Sequence, residues 1–155
     1  MIFKTSDLPQ DPQKWPIIFL GVLGSPDPNG RQLDGMGGGL SSLSKVCVVG
    51  SSPHPDADVD YTFAAIGIKD TEVDFSSNCG NMTAAIGPFA VDSGLVTVGD
   101  EDREATVRIR NTNTGKIIHS TFPVEDGEVV YRGEFGIDGV AGSAAKIRLA
   151  FVDPA

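Results

Sequence analysis

One segment sets the architecture that this sequence predicts: residues 78–94 run Asn-Cys-Gly-Asn-Met-Thr-Ala-Ala-Ile-Gly-Pro-Phe-Ala-Val-Asp-Ser-Gly. Apolar side chains recur along it at helical spacing, at Met82, Ala85, Ile86, Phe89 and Ala90. This spacing predicts a helix from Asn81 to Ser93, and Gly94 is the kind of residue that commonly ends one. Because Thr83 and Asp92 are its clear polar interruptions, we expect the helix to be buried on most sides.

Strand patterns lie on both sides of this helix in the sequence. We predict strands at Ile2–Lys4, Lys45–Val49, Val59–Ile68, Thr71–Phe75, Ala105–Asn111, Lys116–Phe122, Glu128–Phe135 and Ala145–Phe151. A second helix is predicted to begin where Asp11 caps it and Pro12 opens it, and to end near Gly24. We expect its inward side chains to be Trp15, Ile18, Phe19 and Val22. The pattern predicts an α+β fold, with a curved, mostly antiparallel, barrel-like β-sheet wrapped around one central helix.

Composition limits the classes of partner. The chain has 155 residues, of which 40% are hydrophobic, as expected for one globular domain. Its 12 basic and 21 acidic residues give a net charge of -9. This charge argues against nucleic acid and against an anionic membrane surface, since both attract basic proteins. A small anionic substrate remains compatible with it, because a local cluster of donors can outweigh a distant field.

The sequence also bears on location. Its longest apolar run, Pro16–Leu23, is far shorter than the ~20 residues that span a bilayer. Asp7 and Asp11 precede that run, where a secretory signal would carry positive charge. Cys47 and Cys79 are the two cysteines of the chain, too few for a disulfide framework. We therefore predict a cytoplasmic protein with reduced thiols and no membrane attachment.

Cys79 is the first candidate for chemistry. It lies between a strand predicted to end near Phe75 and a helix predicted to begin near Asn81, where free peptide N–H groups and the helix dipole favour a thiolate. The same amides, from Gly80, Asn81 and Met82, form a possible site for a carboxylate. From spacing alone a structural interpretation stays open, in which Asn78 caps the helix and Cys79 packs as a small apolar residue.

Lys45 is the second candidate. It follows Ser41, Ser42 and Ser44 and leads into an apolar strand. Partial burial there would make its amine easier to deprotonate, and the neighbouring hydroxyls could hold an anion. The alternative is an ordinary lysine at a strand end that points into water.

The glycine-rich segment after Gly24 forms a long loop. It lacks the spacing of a phosphate-binding loop or of a dinucleotide fingerprint. Arg31 and Gln32 could hydrogen-bond a carboxylate, although the glycines could equally serve only a tight path of the chain. His54 and His119 have no His or Cys partner at metal-ligand spacing, so we predict no metal.

Several blocks, in order along the chain, resemble one known family. They are Gly24-Ser25-Pro26-Asp27, Gln32-Leu33-Asp34-Gly35-Met36-Gly37-Gly38, Ser44-Lys45-Val46, Asn78-Cys79-Gly80-Asn81-Met82, Gly87-Pro88-Phe89-Ala90, Gly94-Leu95 and Asn111-Thr112-Asn113-Thr114. The set resembles the PrpF family, the 2-methylaconitate cis-trans isomerases, with relatives such as methylitaconate Δ-isomerase and oxalomesaconate tautomerase. The resemblance implies a diaminopimelate epimerase-like fold of two similar lobes with an active site between them.

The resemblance also implies a chemistry. It suggests an isomerase that needs no cofactor and moves a proton and a double bond in an unsaturated di- or tricarboxylic acid, as in propionate metabolism. Its lysine and cysteine that face the substrate correspond to Lys45 and Cys79. Lys45 is expected as the principal base and Cys79 as a second acid–base or positioning group, with their order left open. The expected substrate-binding residues are Ser41, Ser42, Ser44, Asn78, Gly80, Asn81, Met82, Arg31 and Gln32.

The chain departs from the family pattern in places. The Gly-Thr-Ser-Lys-Gly segment usual before the equivalent of Met1 is missing, and Leu43 stands where a small hydroxyl residue is usual. We expect residues 1–155 to be an N-terminal lobe without its C-terminal lobe, with residues 153–155 beginning a linker. One hypothesis is an isomerase that needs a second lobe. The alternative is a non-catalytic lobe that binds a small anion, another copy or a separate C-terminal lobe. An amino-acid epimerase is less favoured, because its chemistry takes one cysteine from each lobe.

Overall fold

A computed structural model describes residues 1–152, so the predicted linker at residues 153–155 lies outside the described residues. The chain divides into two compact units. The first comprises Met1–Gly50, Tyr61–Cys79 and Thr112–Thr114, and the second comprises Ser51–Asp60, Gly80–Asn111 and the chain from Gly115 onward. Helices and strands occur in both units, which confirms the α+β class. The expectation of a single lobe stays a prediction.

The first unit is built on short strands and one helix. Its elements are β1 (Ile2–Lys4), α1 (Trp15–Leu23), β2 (Lys45–Ser51), β3 (Val59–Ile66, of which 61–66 belong here) and β4 (Val73–Asp74). Strand β1 runs parallel to β2 with Ile2 opposite Cys47. Strand β3 lies beside β2, and its end pairs antiparallel with β4. A buried cluster fills the space under α1, with Leu8, Trp15, Phe19, Leu23, Val46, Val48, Ala64 and Ile66 as members.

Helix α1 begins and ends largely as its sequence predicts. The Asp11 carboxylate accepts a hydrogen bond from the Gln13 N–H, at the start of a short 3-10 turn (Pro12–Lys14) that precedes the helix. Gly24 ends α1 in the left-handed conformation with φ 78°, as a C-terminal glycine does. The buried face is Trp15, Phe19 and Leu23, so Ile18 and Val22 are only half-buried. Val22 was predicted to point inward, but Leu23 is the buried residue at this end of the helix.

The second unit is an antiparallel sheet with a helix packed on it. Its elements are α2 (Gly80–Asp92), β5 (Glu104–Asn111), β6 (Ile117–Glu125), β7 (Glu128–Val129) and β8 (Arg148–Val152). Strand β6 is the centre, since β5, β7 and β8 all pair with it antiparallel. Helix α2 contacts β5, β6 and β7, which matches the predicted sheet packed on a helix.

Helix α2 is buried over most of its surface, as its sequence predicts, and its exposed residues are Gly80, Asn81, Ala85 and Asp92. Its buried residues are Thr83, Ile86, Gly87, Pro88, Ala90 and Val91, whereas Ala85, predicted to point inward, is exposed. Gly87 lets the helix approach the sheet closely, because a Cβ there would lie 2.5 Å from Ser120 Oγ and 2.7 Å from a ring carbon of Phe122. Gly94 ends the helical segment with φ 75°, as predicted.

The largest error in the strand prediction lies after β7. The predicted strand Glu128–Phe135 stops at Val129, and residues 131–144 are exposed, with one isolated bridge between Phe135 and Ala144. Glycines recur through this segment, and Gly139 and Gly142 have φ of 82° and 85°. Such backbone angles interrupt a regular strand, and glycine weakens strands generally. The predicted strands at 59–68 and 71–75 are likewise shortened.

Candidate active site

Lys45 and Cys79 lie in direct contact in the first unit. The Lys45 Nζ and the Cys79 Sγ are 3.3 Å apart, although 34 positions separate the residues in the chain. Lys45 is the first residue of β2, and Cys79 is the residue directly before the first residue of α2. Both side chains are half-buried, so the pair is reachable from solvent. The structure therefore brings together the two residues that the sequence singled out separately.

This contact joins two groups that can exchange a proton. An ammonium beside a thiol favours the thiolate, because opposite charges at this distance attract. A proton that passes along the 3.3 Å contact interconverts an ammonium–thiolate pair and an amine–thiol pair. In either form one partner is an acid and the other a base, which general acid–base catalysis requires.

The strand that carries Lys45 is fixed at the residue before it. Ser44 is 1% exposed, and its carbonyl accepts a hydrogen bond of 2.9 Å from the Ile66 N–H. Its hydroxyl accepts a hydrogen bond of 3.0 Å from the Gln32 carboxamide. Ser44 therefore anchors the strand from inside, and this differs from its predicted role at a substrate surface.

Gln32 also lies inside the first unit. It is 1% exposed with a φ of 53°. Its Nε2 donates to Ser25 and Ser44, and its Oε1 accepts from the Gly39 N–H. All of these bonds are internal, so the structure does not support the predicted contact of Gln32 with substrate. Arg31, Ser41 and Ser42 are exposed, and their substrate-binding role stays a prediction.

The loop depends on Asp27, which the sequence analysis did not single out. Its carboxylate accepts hydrogen bonds from the backbone N–H groups of Asn29, Arg31 and Gln32. These bonds, that of Asn29 foremost, hold the pKa of Asp27 below its ordinary value. The sequence Asp27-Pro28-Asn29-Gly30 carries the signal, since aspartate followed by proline and glycine commonly organises a turn in this way.

Cys79 stands at the end of a segment that is held by side chains. Asp74 accepts a hydrogen bond from the Ser76 N–H at 2.7 Å, and the Asn78 side chain accepts one from the Cys79 N–H at 2.8 Å. Asn113 donates to the Phe75 carbonyl at 2.6 Å. Asn113 was part of the family-like block Asn111–Thr114, but no local pattern assigned it this task.

The other cysteine is chemically different. Cys47 is fully buried on β2, with its Sγ 3.9 Å from the Tyr61 hydroxyl. Burial raises the pKa of its thiol to about 11. Cys47 is therefore a protonated packing residue at neutral pH, and Cys79 is the thiol available for reaction.

The described residues, 1–152, bear on metal binding and on membrane insertion. Within that range no group of three or more His, Cys, Asp or Glu side chains is arranged to hold a metal ion. None of the helices in the same range has both the length and the apolar character needed to cross a membrane.

Comparison with known proteins assigns the chain to a family. The model of the family described as PrpF protein matches residues 1–155. The chain belongs to the PrpF family. The 2-methyl-aconitate isomerase of Cupriavidus necator is 44% identical over 161 residues, covering 100% of this chain and 41% of that protein. The 3-methylitaconate isomerase of Eubacterium barkeri is 43% identical over 155 residues, covering 100% of this chain and 40% of that protein.

A solved structure supports the fold of this PrpF chain. The crystal structure of methylitaconate-delta-isomerase matches with a TM-score of 0.86 at 44% identity, covering 93% of this chain and 36% of that chain. The resemblance stated from the sequence is thus confirmed at the level of family and fold. The chain spans about 41% of the length of the curated relatives that it matches.

Proposed function

We propose that this PrpF chain contributes the proton-transfer groups of a cofactor-independent isomerase of unsaturated di- or tricarboxylic acids. The observation that carries the proposal is the contact of 3.3 Å between Lys45 and Cys79. Family membership supports this class of substrate, because relatives at 43–44% identity are named for 2-methylaconitate and 3-methylitaconate.

The reaction needs one proton removed and one returned. A base takes a proton from an sp3 carbon attached to a carboxylated double bond, and the electron pair of that C–H bond spreads into the carboxylate as a dienolate. The acid then gives a proton to another carbon of the same allyl system, so the double bond moves or changes its geometry. Lys45 acts as the principal base and carrier of the proton, and Cys79 as the second acid–base group.

The negative charge of this intermediate needs nearby donors. The proposal assigns that task to the peptide N–H groups that follow Cys79 in the chain, at Gly80, Asn81 and Met82, because the start of a helix binds anions. Asn78 and the exposed side chains of Arg31, Ser41 and Ser42 complete the proposed set. The substrate carboxylates are thereby held while the proton moves.

The test is hydrogen exchange into substrate in deuterated water, followed by NMR. It uses the 155-residue chain and a chimera in which this chain replaces the matching part of methylitaconate isomerase. We expect exchange into methylitaconate or methylaconitate with the chimera, and loss of at least a hundredfold in Lys45→Ala, the lower range for one acid–base group. Lys14→Ala, which removes an exposed lysine, is the matched control.

The same test can reject the proposal. A folded chimera whose exchange is unchanged by Lys45→Ala and by Cys79→Ser would contradict the assigned chemistry. Exchange by the chimera but not by the 155-residue chain would show that catalysis needs the additional length present in the relatives. We propose the cytoplasm as the place of this reaction, from the reduced thiols that it requires.

A non-catalytic lobe is the second candidate, and one observation favours it. Phe135, Ile137 and Val140 are 43%, 60% and 63% exposed and line a cavity of about 240 Å³ in the second unit. An apolar surface of this kind usually contacts another protein. The test compares wild type with Ile137→Asp by analytical ultracentrifugation. Self-association that is lost in the variant, together with absent exchange in the chimera, would favour this candidate.

A further inference from the structure

We propose that two carboxamides, those of the buried Gln32 and the half-buried Asn113, are positioning residues that set the distance between Lys45 and Cys79. The inference rests on the proposed function, in which these two side chains transfer protons. Gln32 acts on the strand that carries Lys45, and Asn113 acts on the segment that ends in Cys79.

Gln32 holds the residue that precedes Lys45. Its Nε2 is 3.0 Å from both Ser25 Oγ and Ser44 Oγ, and the Gly39 N–H is 3.0 Å from its Oε1. The loop is closed tightly on this carboxamide, since a Cβ at Gly37 would lie 2.3 Å from the Oε1. A side chain of this length without polar atoms would leave several buried groups without partners, which is costly. The contacts therefore require a polar side chain of this length.

Asn113 holds the segment that precedes Cys79. Its Oδ1 accepts from the Phe63 N–H at 2.8 Å, and its Nδ2 donates to the Phe63 carbonyl at 2.8 Å. The carboxamide thus pairs with β3 as a strand residue would. The same Nδ2 donates to the Phe75 carbonyl at 2.6 Å, and Phe75 also packs against Phe19 with ring centroids 6.5 Å apart.

Together these contacts form a continuous path from one reactive side chain to the other. It runs from Ser44, the residue before Lys45, to Ile66 on the neighbouring strand β3 and along β3 to Phe63. From there it continues through Asn113 to Phe75 and along four residues to Cys79. Gln32 ties the Lys45 end of this path to the loop. A contact of 3.3 Å between the Lys45 and Cys79 side chains requires both ends to be fixed, because a misplacement of about 1 Å is enough to impair proton transfer.

The test measures the Lys45–Cys79 contact without relying on catalysis. The rate of Cys79 alkylation by iodoacetamide is followed against pH in the 155-residue chain, with the modified peptide quantified by mass spectrometry. Gln32→Met removes the polar contacts at similar length, and Asn113→Asp places a carboxylate oxygen against two carbonyls. We expect both substitutions to move the midpoint of the alkylation rate to higher pH, toward the midpoint of Lys45→Met. Gln13→Met, at an exposed position, is the matched control and should not move it.

A double-variant cycle separates positioning from a general loss of structure. In the Lys45→Met background, Gln32→Met and Asn113→Asp should shift the midpoint no further, because the contact they support is already gone. Unlike Gln32→Met, Gln32→Glu should keep most of the wild-type dependence of the alkylation rate on pH. Its carboxylate can accept hydrogen bonds from the Gly39 N–H and from the Ser25 and Ser44 hydroxyls. Urea unfolding monitors the fold of each variant, and Gln32→Asn and Asn113→Ser replace any variant that does not fold.

The outcomes are distinct. Folded variants with an unchanged midpoint would overturn the positioning role, as would shifts of equal size in the presence and absence of Lys45. If the shifts occur as expected while the chimera shows no exchange into substrate that depends on Lys45, then the positioning role holds and the proposed function fails.

Discussion

Replacement of Lys45 by methionine should make the Cys79 thiolate harder to form. The Lys45 Nζ and the Cys79 Sγ are 3.3 Å apart. At that distance the Coulomb attraction between an ammonium and a thiolate is ~1.3 kcal/mol with the dielectric constant of water and ~5 kcal/mol with an effective constant of about 20. Because both side chains are half-buried, the effective dielectric constant is below that of water, and the smaller energy is a lower bound. Since ~1.4 kcal/mol corresponds to one pH unit, the pH at which half of the Cys79 thiol is ionised should rise by at least about one unit.

The assay is alkylation of Cys79 by iodoacetamide between pH 5 and 10. Below the midpoint, the rate in Lys45→Met should be about a tenth of the wild-type rate, and Lys45→Arg should retain most of the wild-type rate because it keeps the charge. Cys47 is an internal reference, since its buried thiol has a pKa of about 11. A midpoint that does not change in a folded Lys45→Met protein would refute the assigned contact and with it the basis of the proposed site.

Other predictions concern stability and can be checked by urea or thermal unfolding. Gly87→Ala should destabilise the chain by about 1–3 kcal/mol, because the new Cβ would lie 2.5 Å from Ser120 Oγ. Gly21→Ala is the control, and it should be neutral or stabilising because a Cβ there has no neighbour within 4 Å. Equal effects of the two substitutions would contradict the close packing of α2. Ser120→Ala should stabilise by about 1 kcal/mol, since the buried Ser120 Oγ has no hydrogen-bond partner among the described residues; a clear loss of stability would show that the hydroxyl is satisfied. Burial raises the pKa of Asp58, but the hydrogen bonds and charge of Arg108 outweigh it and lower the pKa below the ordinary value, so this carboxylate contributes stability above about pH 4 that is lost as the pH falls. Asp58→Asn should therefore reduce the loss of stability on acidification, which unfolding at pH 7 and pH 3 would show. Because the pKa of Cys47 is raised to about 11, its thiol ionises more readily when unfolded, so Cys47→Ala should flatten the loss of stability above about pH 9.

The sequence predicted well where short-range chemistry decides the structure. Gly24 and Gly94 end helical segments with φ of 78° and 75°. Asp11 was predicted to cap the helix, and it caps the 3-10 turn that leads into it. Helical spacing also located α2 to within about one residue of its bounds, since Gly80–Asp92 is observed and 81–93 was predicted. Local signals of this kind do not depend on the rest of the fold.

The failures lie where distant residues decide. Val130 to Phe135 has strand-like composition, but it finds no regular partner within the described chain and stays irregular. Gln32 was expected to face substrate because of its type, whereas its environment is made by Ser44, which is 12 residues away. Asn113 makes its contacts 38 and 50 residues away, and no spacing rule reveals such a pair. The family resemblance located Lys45 and Cys79, but only the folded chain shows their contact.

The loop that follows α1 has a consequence for how this chain moves. Its N–H groups at Met36 and Gly37 donate to the Val22 and Leu23 carbonyls at the end of the helix, and a Cβ at Gly35 would lie 2.2 Å from the backbone of Gly24. Glycine here permits contact and not mobility. Loop and helix end should therefore open as one cooperative unit, and amide protons of both should exchange with solvent at a common rate.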